Sequence, residues 1–215
     1  MKKICLVLSM IFCVLTCFAG PVFVAGKDYK VLDNNALREA PRKPGTFTVK
    51  EFFSYGCPWC YKLEKKLDAL RSQLPKQVIF ERVPVVFEAG WDIYAKAFYA
   101  AELLGIEKNM SLAIFEDVQE KEKKLDSNEA MIRFFIAHGV QESVAKSAFL
   151  SSPTIDAKVL DGIQQMQLLQ VNSVPCFVIN DHYKVDIAMM EGDSDKLFRV
   201  IGFLVAKELI IEMHK

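Results

Sequence analysis

Apolar and polar positions alternate between residues 46 and 55 of the chain, which predicts a β-strand. Phe47, Val49, Phe53 and Tyr55 share one face of it, and Glu51 falls among them as an acid on an apolar face. The period then changes. Leu63, Leu67, Leu70 and Leu74 recur at helical spacing, with Lys62, Glu64, Lys65, Lys66 and Asp68 on the opposite face. Cys57-Pro58-Trp59-Cys60 stands at the junction, and Pro58 suits a first helical turn, where its missing N–H costs nothing.

A second strand is predicted over 78–87, with Pro84 marking an edge or an end. A helical block follows: 91–104, closed by Gly105; 111–119; 131–138, with Asp126 and Glu129 as a capping box and Gly139 as a stop; and 141–150. Ser152-Pro153 reads as cap and first turn of a long helix through Leu169. Lys121-Glu122-Lys123-Lys124 reads as a solvated connection. Strand signals return at 176–179 and 182–185, around a tight turn at Asn180-Asp181, and Asp193-Ser194 caps a last helix through Met213. The order predicts an α/β fold, a small sheet interrupted by several helices.

The first residues have a different character. Met1-Lys2-Lys3 is basic, 4–18 is almost unbroken apolar chain, and Cys17-Phe18-Ala19 fits small-x-small cleavage. Residues 1–19 are therefore predicted to be a signal peptide, with Val24-x-Gly26 a second, later cleavage candidate. The competing reading is a retained anchor, since 4–26 carries no charge, although Gly20-Pro21 breaks the run. Export would remove Cys5, Cys13 and Cys17 and leave Cys57, Cys60 and Cys176.

Composition narrows the classes. With 215 residues, 52% of them hydrophobic, the chain can bury a substantial core. Its 27 basic and 27 acidic side chains form no dense Lys/Arg stripe, which argues against nucleic acid as a partner. Two cysteines three apart at a helix start suit redox chemistry. The N-terminal N–H groups and the macrodipole stabilise a Cys57 thiolate, while Cys60, one turn in, is expected to be covered. A structural zinc site is the alternative, and it needs two further ligands. His138, His182 and His214 show no paired spacing, so neither a metal nor a cofactor is expected.

Gly26-Lys27-Asp28-Tyr29, Glu51-Phe52-Phe53-Ser54-Tyr55 before the cysteine pair, the helical block and Val174-Pro175 before the late strand form an ordered set. In this set the chain resembles the DsbA family of bacterial periplasmic thiol:disulfide oxidoreductases. The resemblance implies a thioredoxin fold with an inserted all-helical domain: core residues 27–88, insertion 89–161, and core again over 162–215. It implies an exported monomeric enzyme of the Gram-negative periplasm, acting on reduced, unfolded or partly folded secreted proteins. A DsbB-like quinone-linked membrane oxidase would reoxidise it. Cys57 and Cys60 are then the redox pair, with Pro58, Trp59 and Val174 tuning it. Val174-Pro175 resembles the family's cis-proline loop, although an X-Pro bond is by itself more often trans. Glu51 resembles the buried acid beneath the cysteines, its alternative being a hydrogen-bonded core acid. Glu64 and Arg82 match charged positions near the site, or form a solvated pair.

Two positions depart from the family pattern. Its best-known members have His where this chain has Trp59, and Cys176 directly after Pro175 is unusual. Cys176 is expected to point into the core as a small hydrophobe, the alternative being a third thiol that forms off-pathway bridges. Rival functions are a disulfide isomerase or reductase of the same fold, a holdase for unfolded chains, and a soft-metal carrier. Isomerases of this class usually carry a separate dimerisation domain, and Val174 before the proline is more typical of oxidases.

Overall fold

A computed structural model describes residues 23–33 and 46–213. The predicted signal peptide, 1–19, lies outside the described residues. Phe23 packs edge-on against Phe203, and Val24 N–H donates to Asp28, so Phe23 to Asp28 belong to the folded unit.

The elements in chain order are β1 (Lys30–Val31), β2 (Phe47–Phe53), α1 (Pro58–Gln73), β3 (Val78–Pro84), α2 (Trp91–Leu103), α3 (Glu107–Gln119), α4 (Asn128–Ala137), α5 (Glu142–Leu150), α6 (Pro153–Leu168), β4 (Cys176–Ile179), β5 (Tyr183–Asp186) and α7 (Ser194–Met213). One 3₁₀ turn (Ala188–Met190) precedes α7. The sheet order is β1-β5-β4-β2-β3; only β2 and β3 run parallel. This is an α/β fold with five helices between β3 and β4.

Strand parity divides the core in two. Val49, Phe177, Ile179 and Val185 pack with Leu63, Leu67 and Leu70 of α1 and with Leu197, Val200, Ile201 and Leu204 of α7. Each fully buried leucine contributes roughly 1.5–3 kcal/mol, which fixes α1 to the sheet. Phe52, Cys176 and Val178 join the cluster built with the inserted helices, including Phe98, Phe115 and Phe135. Glu51 shares the parity of Val49, on the face that α1 covers, whereas Cys176 pairs with Phe52 and shares the opposite face.

Several boundaries differ from the sequence expectation. β2 ends at Phe53, so Tyr55 sits in the following turn, and Pro84 ends β3. α3 begins one turn earlier than expected, at Glu107. The cap of α4 is Ser127, whose hydroxyl accepts the Ala130 N–H at 3.2 Å, and not Asp126. Extended backbone at Ser127 aims its short hydroxyl at that N–H. Ser152 caps α6 as expected, and Asp193 accepts the N–H groups of Asp195 and Lys196 at the start of α7. The two-residue β1 was not anticipated, being too short to carry a period.

Candidate active site

Backbone geometry turns β2 into α1 over four residues, Ser54 to Cys57. Gly56 has no room for a side chain, because a Cβ there would collide with the Trp91 indole of α2. Cys57 follows as the N-cap of α1, in extended conformation, and its sulfur accepts the Cys60 N–H at 3.3 Å. Both cysteines are free thiols in this structure; Cys60 is fully buried and Cys57 is 6% exposed. The hydrogen bond with the Cys60 thiol holds the Cys57 thiol below its ordinary range, against burial. The backbone N–H groups of Cys60 and Trp59 add to that lowering, while the Glu51 charge opposes it. Burial pushes Cys60 well above its ordinary range, and its bond to Cys57 and the charge there push the same way. The two sulfurs are thus chemically distinct, one poised as a thiolate and one held as a thiol.

Opposite the cysteines, the Val174–Pro175 peptide bond is cis. The Cys57 thiol donates to the Val174 carbonyl at 3.4 Å, so this loop and the α1 N-terminus are in contact. Asp186 on β5 accepts from Ser173 Oγ at 3.3 Å and from Met189 N–H at 2.9 Å, tying the loop to the 3₁₀ turn. Between them lies a recess of about 270 Å³ lined by Trp59, Val174, Ile187, Ala188 and Gly192. Trp59 is 42% exposed, and the Lys62 ammonium sits 4.2 Å from its ring centroid. Pro58 occupies the first turn of α1, where it was expected.

Beneath the cysteines Glu51 is fully buried. Its Oε2 accepts from Arg82 Nε at 2.8 Å, while its Oε1 has no partner among the described residues. Burial raises its carboxyl to about 7, partly offset by the Arg82 charge. Arg82 is itself buried, stacks 4.0 Å from the Phe53 ring centroid and forks onto Glu64 at 2.7 and 3.2 Å. Glu64 and Arg82 are therefore parts of a buried cluster and not a solvated pair. Although burial opposes its charge, the surrounding carboxylates, Glu51 first, hold Arg82 above its ordinary range.

That cluster has a member the sequence did not reveal. Glu107 accepts from Arg82 Nη1 at 3.1 Å and from Ser111 Oγ at 3.0 Å, and Ser111 Oγ lies 2.7 Å from Tyr55 OH. The available signal was an acid after Gly105 in a first helical turn, but the predicted helix began at Ser111. Cys176 stands apart. It is buried on the sheet face opposite α1, and burial raises its thiol far above the ordinary range.

Residues 48–199 match the DSBA-like thioredoxin domain family. The thiol:disulfide interchange protein DsbA of Azotobacter vinelandii is 31% identical over 166 residues, 77% of each chain. That of Pseudomonas aeruginosa is 31% identical over 186 residues, 86% of each. The crystal structure of Pseudomonas aeruginosa DsbA superposes with a TM-score of 0.77 at 30% identity, covering 86% of this chain and 94% of that one. Fold, cysteine geometry and sequence agree, and the chain belongs to the DSBA-like thioredoxin domain family.

Proposed function

We propose that this protein is an exported thiol:disulfide oxidoreductase working as an oxidase, introducing disulfide bonds into secreted proteins through Cys57 and Cys60. The observation that carries this reading is the asymmetry of the pair: an acidic Cys57 capping α1 and a buried, proton-retaining Cys60. In the oxidised enzyme the two sulfurs are bonded. A substrate thiolate attacks Cys57, and the Cys57–Cys60 bond breaks as the new S–S bond forms. Cys60 leaves with the electron pair and takes a proton. A second substrate thiolate then attacks the mixed disulfide and expels Cys57 as a stabilised thiolate. The substrate has lost two electrons to the enzyme, and a low pKa at the departing sulfur favours this direction.

The remaining residues take supporting roles. Glu51 is the proton donor and acceptor for Cys60, since its carboxyl is buried beside the pair and titrates close to neutral pH. Glu64 and Arg82 hold that acid in place. Val174 and Pro175 form the wall against which substrate backbone is laid, with Pro58 and Trp59 shaping the approach to Cys57. Residues 89–161 form the inserted helical domain, with α6 running across the second boundary. The periplasm of a Gram-negative bacterium supplies the setting, reduced unfolded or partly folded secreted chains are the substrates, and a DsbB-like quinone-linked membrane oxidase restores the disulfide.

Equilibration of the Cys57–Cys60 pair in defined glutathione buffers tests the direction of the reaction. An oxidase remains mostly reduced in buffers that leave ordinary structural disulfides intact. A pair that stays oxidised under those conditions points to a reductase.

A further inference from the structure

Arg82 is one cation facing three carboxylates, and its donors are unequally shared. A guanidinium offers five N–H groups. Glu64 takes a bidentate fork from Nη1 and Nη2, and Glu107 takes a further bond from Nη1. Glu51 receives the Nε bond alone, and its other oxygen is left bare among the described residues. Side-chain exposure runs from 0% at Glu51 through 14% at Glu64 to 22% at Glu107. Three ionised carboxylates around one buried cation would leave excess negative charge in a site with little water. The least solvated member is then the one that keeps a proton.

We infer that Glu107 is a positioning residue for the redox reaction: by drawing on Arg82 it keeps the proton on Glu51, and so sets the pH at which Cys60 exchanges its own. This rests on the reading of Glu51 as the proton partner of Cys60. Glu107 is suited to the task. It lies in the first turn of α3, where the helix dipole favours a carboxylate. Its Oε1 is fixed from two sides, by Arg82 and by Ser111, whose hydroxyl is in turn bonded to Tyr55 at the start of the active-site turn. It also lines a cavity of about 750 Å³ together with Arg82, Arg71 and Lys108, so its own charge is partly solvated while that of Glu51 is not.

The other groups facing Glu51 act in both senses, Glu64 in the same sense as Glu107. Arg82 on β3 lowers its affinity for a proton, as Arg71 on α1 does more weakly, while Glu64 on α1 raises it. Cys57 and Cys60 at the α1 N-terminus are the groups it serves, Phe177 on β4 is apolar, and Tyr55 is held by Ser111. Glu107 is the member of the cluster contributed by the inserted helices. The proton balance of the sheet core is thereby tied to the docking of α3.

The test isolates the closure step. Protein carrying glutathione on Cys57 is prepared, and the rate at which Cys60 expels glutathione and forms the Cys57–Cys60 bond is followed against pH. That step breaks the mixed disulfide, releases glutathione thiolate and passes the Cys60 proton to Glu51. Its rate rises with pH through a limb set by Glu51. In Glu107→Gln the amide oxygen keeps both hydrogen bonds but removes the charge, and the limb should move to lower pH by about half a unit or more. Glu107→Asp keeps the charge and should hold the limb near its original place. A limb that vanishes in Glu51→Gln but does not move in Glu107→Gln overturns this inference alone. If the limb survives in Glu51→Gln, the role given to Glu51 falls, and this inference falls with it. Equal displacement in Glu107→Gln and Glu107→Asp reports packing and also overturns it.

Discussion

The Cys57 sulfur lies 3.4 Å from the carbonyl oxygen of Val174, a residue 117 positions further along the chain. A thiol donates to that oxygen and a thiolate cannot, so this contact favours the protonated sulfur. The Cys60 N–H, at 3.3 Å on another side, favours the ionised one. The Cys57 pKa is lowered, by the bond with the Cys60 thiol first and by this N–H in addition. Formation of the Cys57–Cys60 disulfide also removes that donor, so in the proposed oxidase the Val174 carbonyl would be free to accept an N–H from an incoming chain.

Alkylation of the reduced protein should therefore be confined to Cys57. Its rate should reach a plateau at a pH below the ordinary thiol value of about 8.5, while Cys60 and Cys176 stay unmodified in the native state. Both are buried, and burial raises both thiols. Mass spectrometry after timed iodoacetamide treatment reads this directly. Modification of Cys60 at a comparable rate would reverse the assignment.

Reduction should stabilise the fold. Because the folded pKa of Cys57 is depressed, its thiolate adds stability to the reduced form. That contribution is complete above the unfolded thiol pKa of about 8.5 and is lost as pH falls through the folded value. Each unit of depression is worth about 1.4 kcal/mol. The disulfide form lacks this contribution, and its gain from closing so short a loop is small. Denaturant melts of both forms at pH 8 and pH 4 should show a large gap at the higher pH and a reduced or inverted one at the lower. An oxidised form that is the more stable at pH 8 contradicts the oxidase reading.

Glu51 carries the opposite sign. Its carboxyl is raised to about 7 by burial, so the native state binds a proton that the unfolded chain has already lost. Stability then falls as pH rises from about 4.3, the unfolded value, toward 7. Glu51→Gln removes this cost without stranding Arg82, which keeps Glu64 and Glu107. The variant should gain on the order of 1–3 kcal/mol above pH 7 and little at pH 4. Paired melts at the two pH values decide it, and a loss of stability at pH 8 would show that the Arg82 pair outweighs the burial of the charge.

How far the chain disclosed this in advance follows from the range of each interaction. The Leu63, Leu67 and Leu70 stripe and the cysteine pair at the head of α1 are local patterns, and both are where the sequence placed them. Glu51 stood out because a strand alternates, and an acid in that register has to be buried. Glu107 did not stand out. Its importance arises from α3 docking beside β3, which brings it to Arg82, 25 residues earlier. The periodicity of α3 is carried by Met110, Ile114 and Phe115, so the polar first turn was read as loop. Ser127 was passed over for Asp126 because both are good caps, and only the backbone angles choose between them.

Trp59 is one of the two positions where the sequence was expected to depart from the family pattern, and the structure adds a neighbour to the question. The indole is neutral, so between the cysteines it contributes no charge to the thiolate. Lys62 is folded onto its ring at 4.2 Å, a cation–π contact that holds an ammonium over the active-site dipeptide. A cation in the first turns of a helix works against the macrodipole, so the ring is what keeps it there. Trp59→His should lower the Cys57 pKa and make the pair more oxidising, since an imidazolium would place a positive charge between the cysteines. Lys62→Met should do the reverse, raising the Cys57 pKa by less than about one unit. This second shift should fade as salt is added, because the ammonium is solvent-exposed and screened over about 10 Å at 0.1 M. Thiolate absorbance titrated at low and high salt measures both shifts. A Lys62→Met protein with an unchanged Cys57 pKa at low salt would leave the Cys60 thiol and the backbone N–H groups of the helix N-terminus as the source of its acidity.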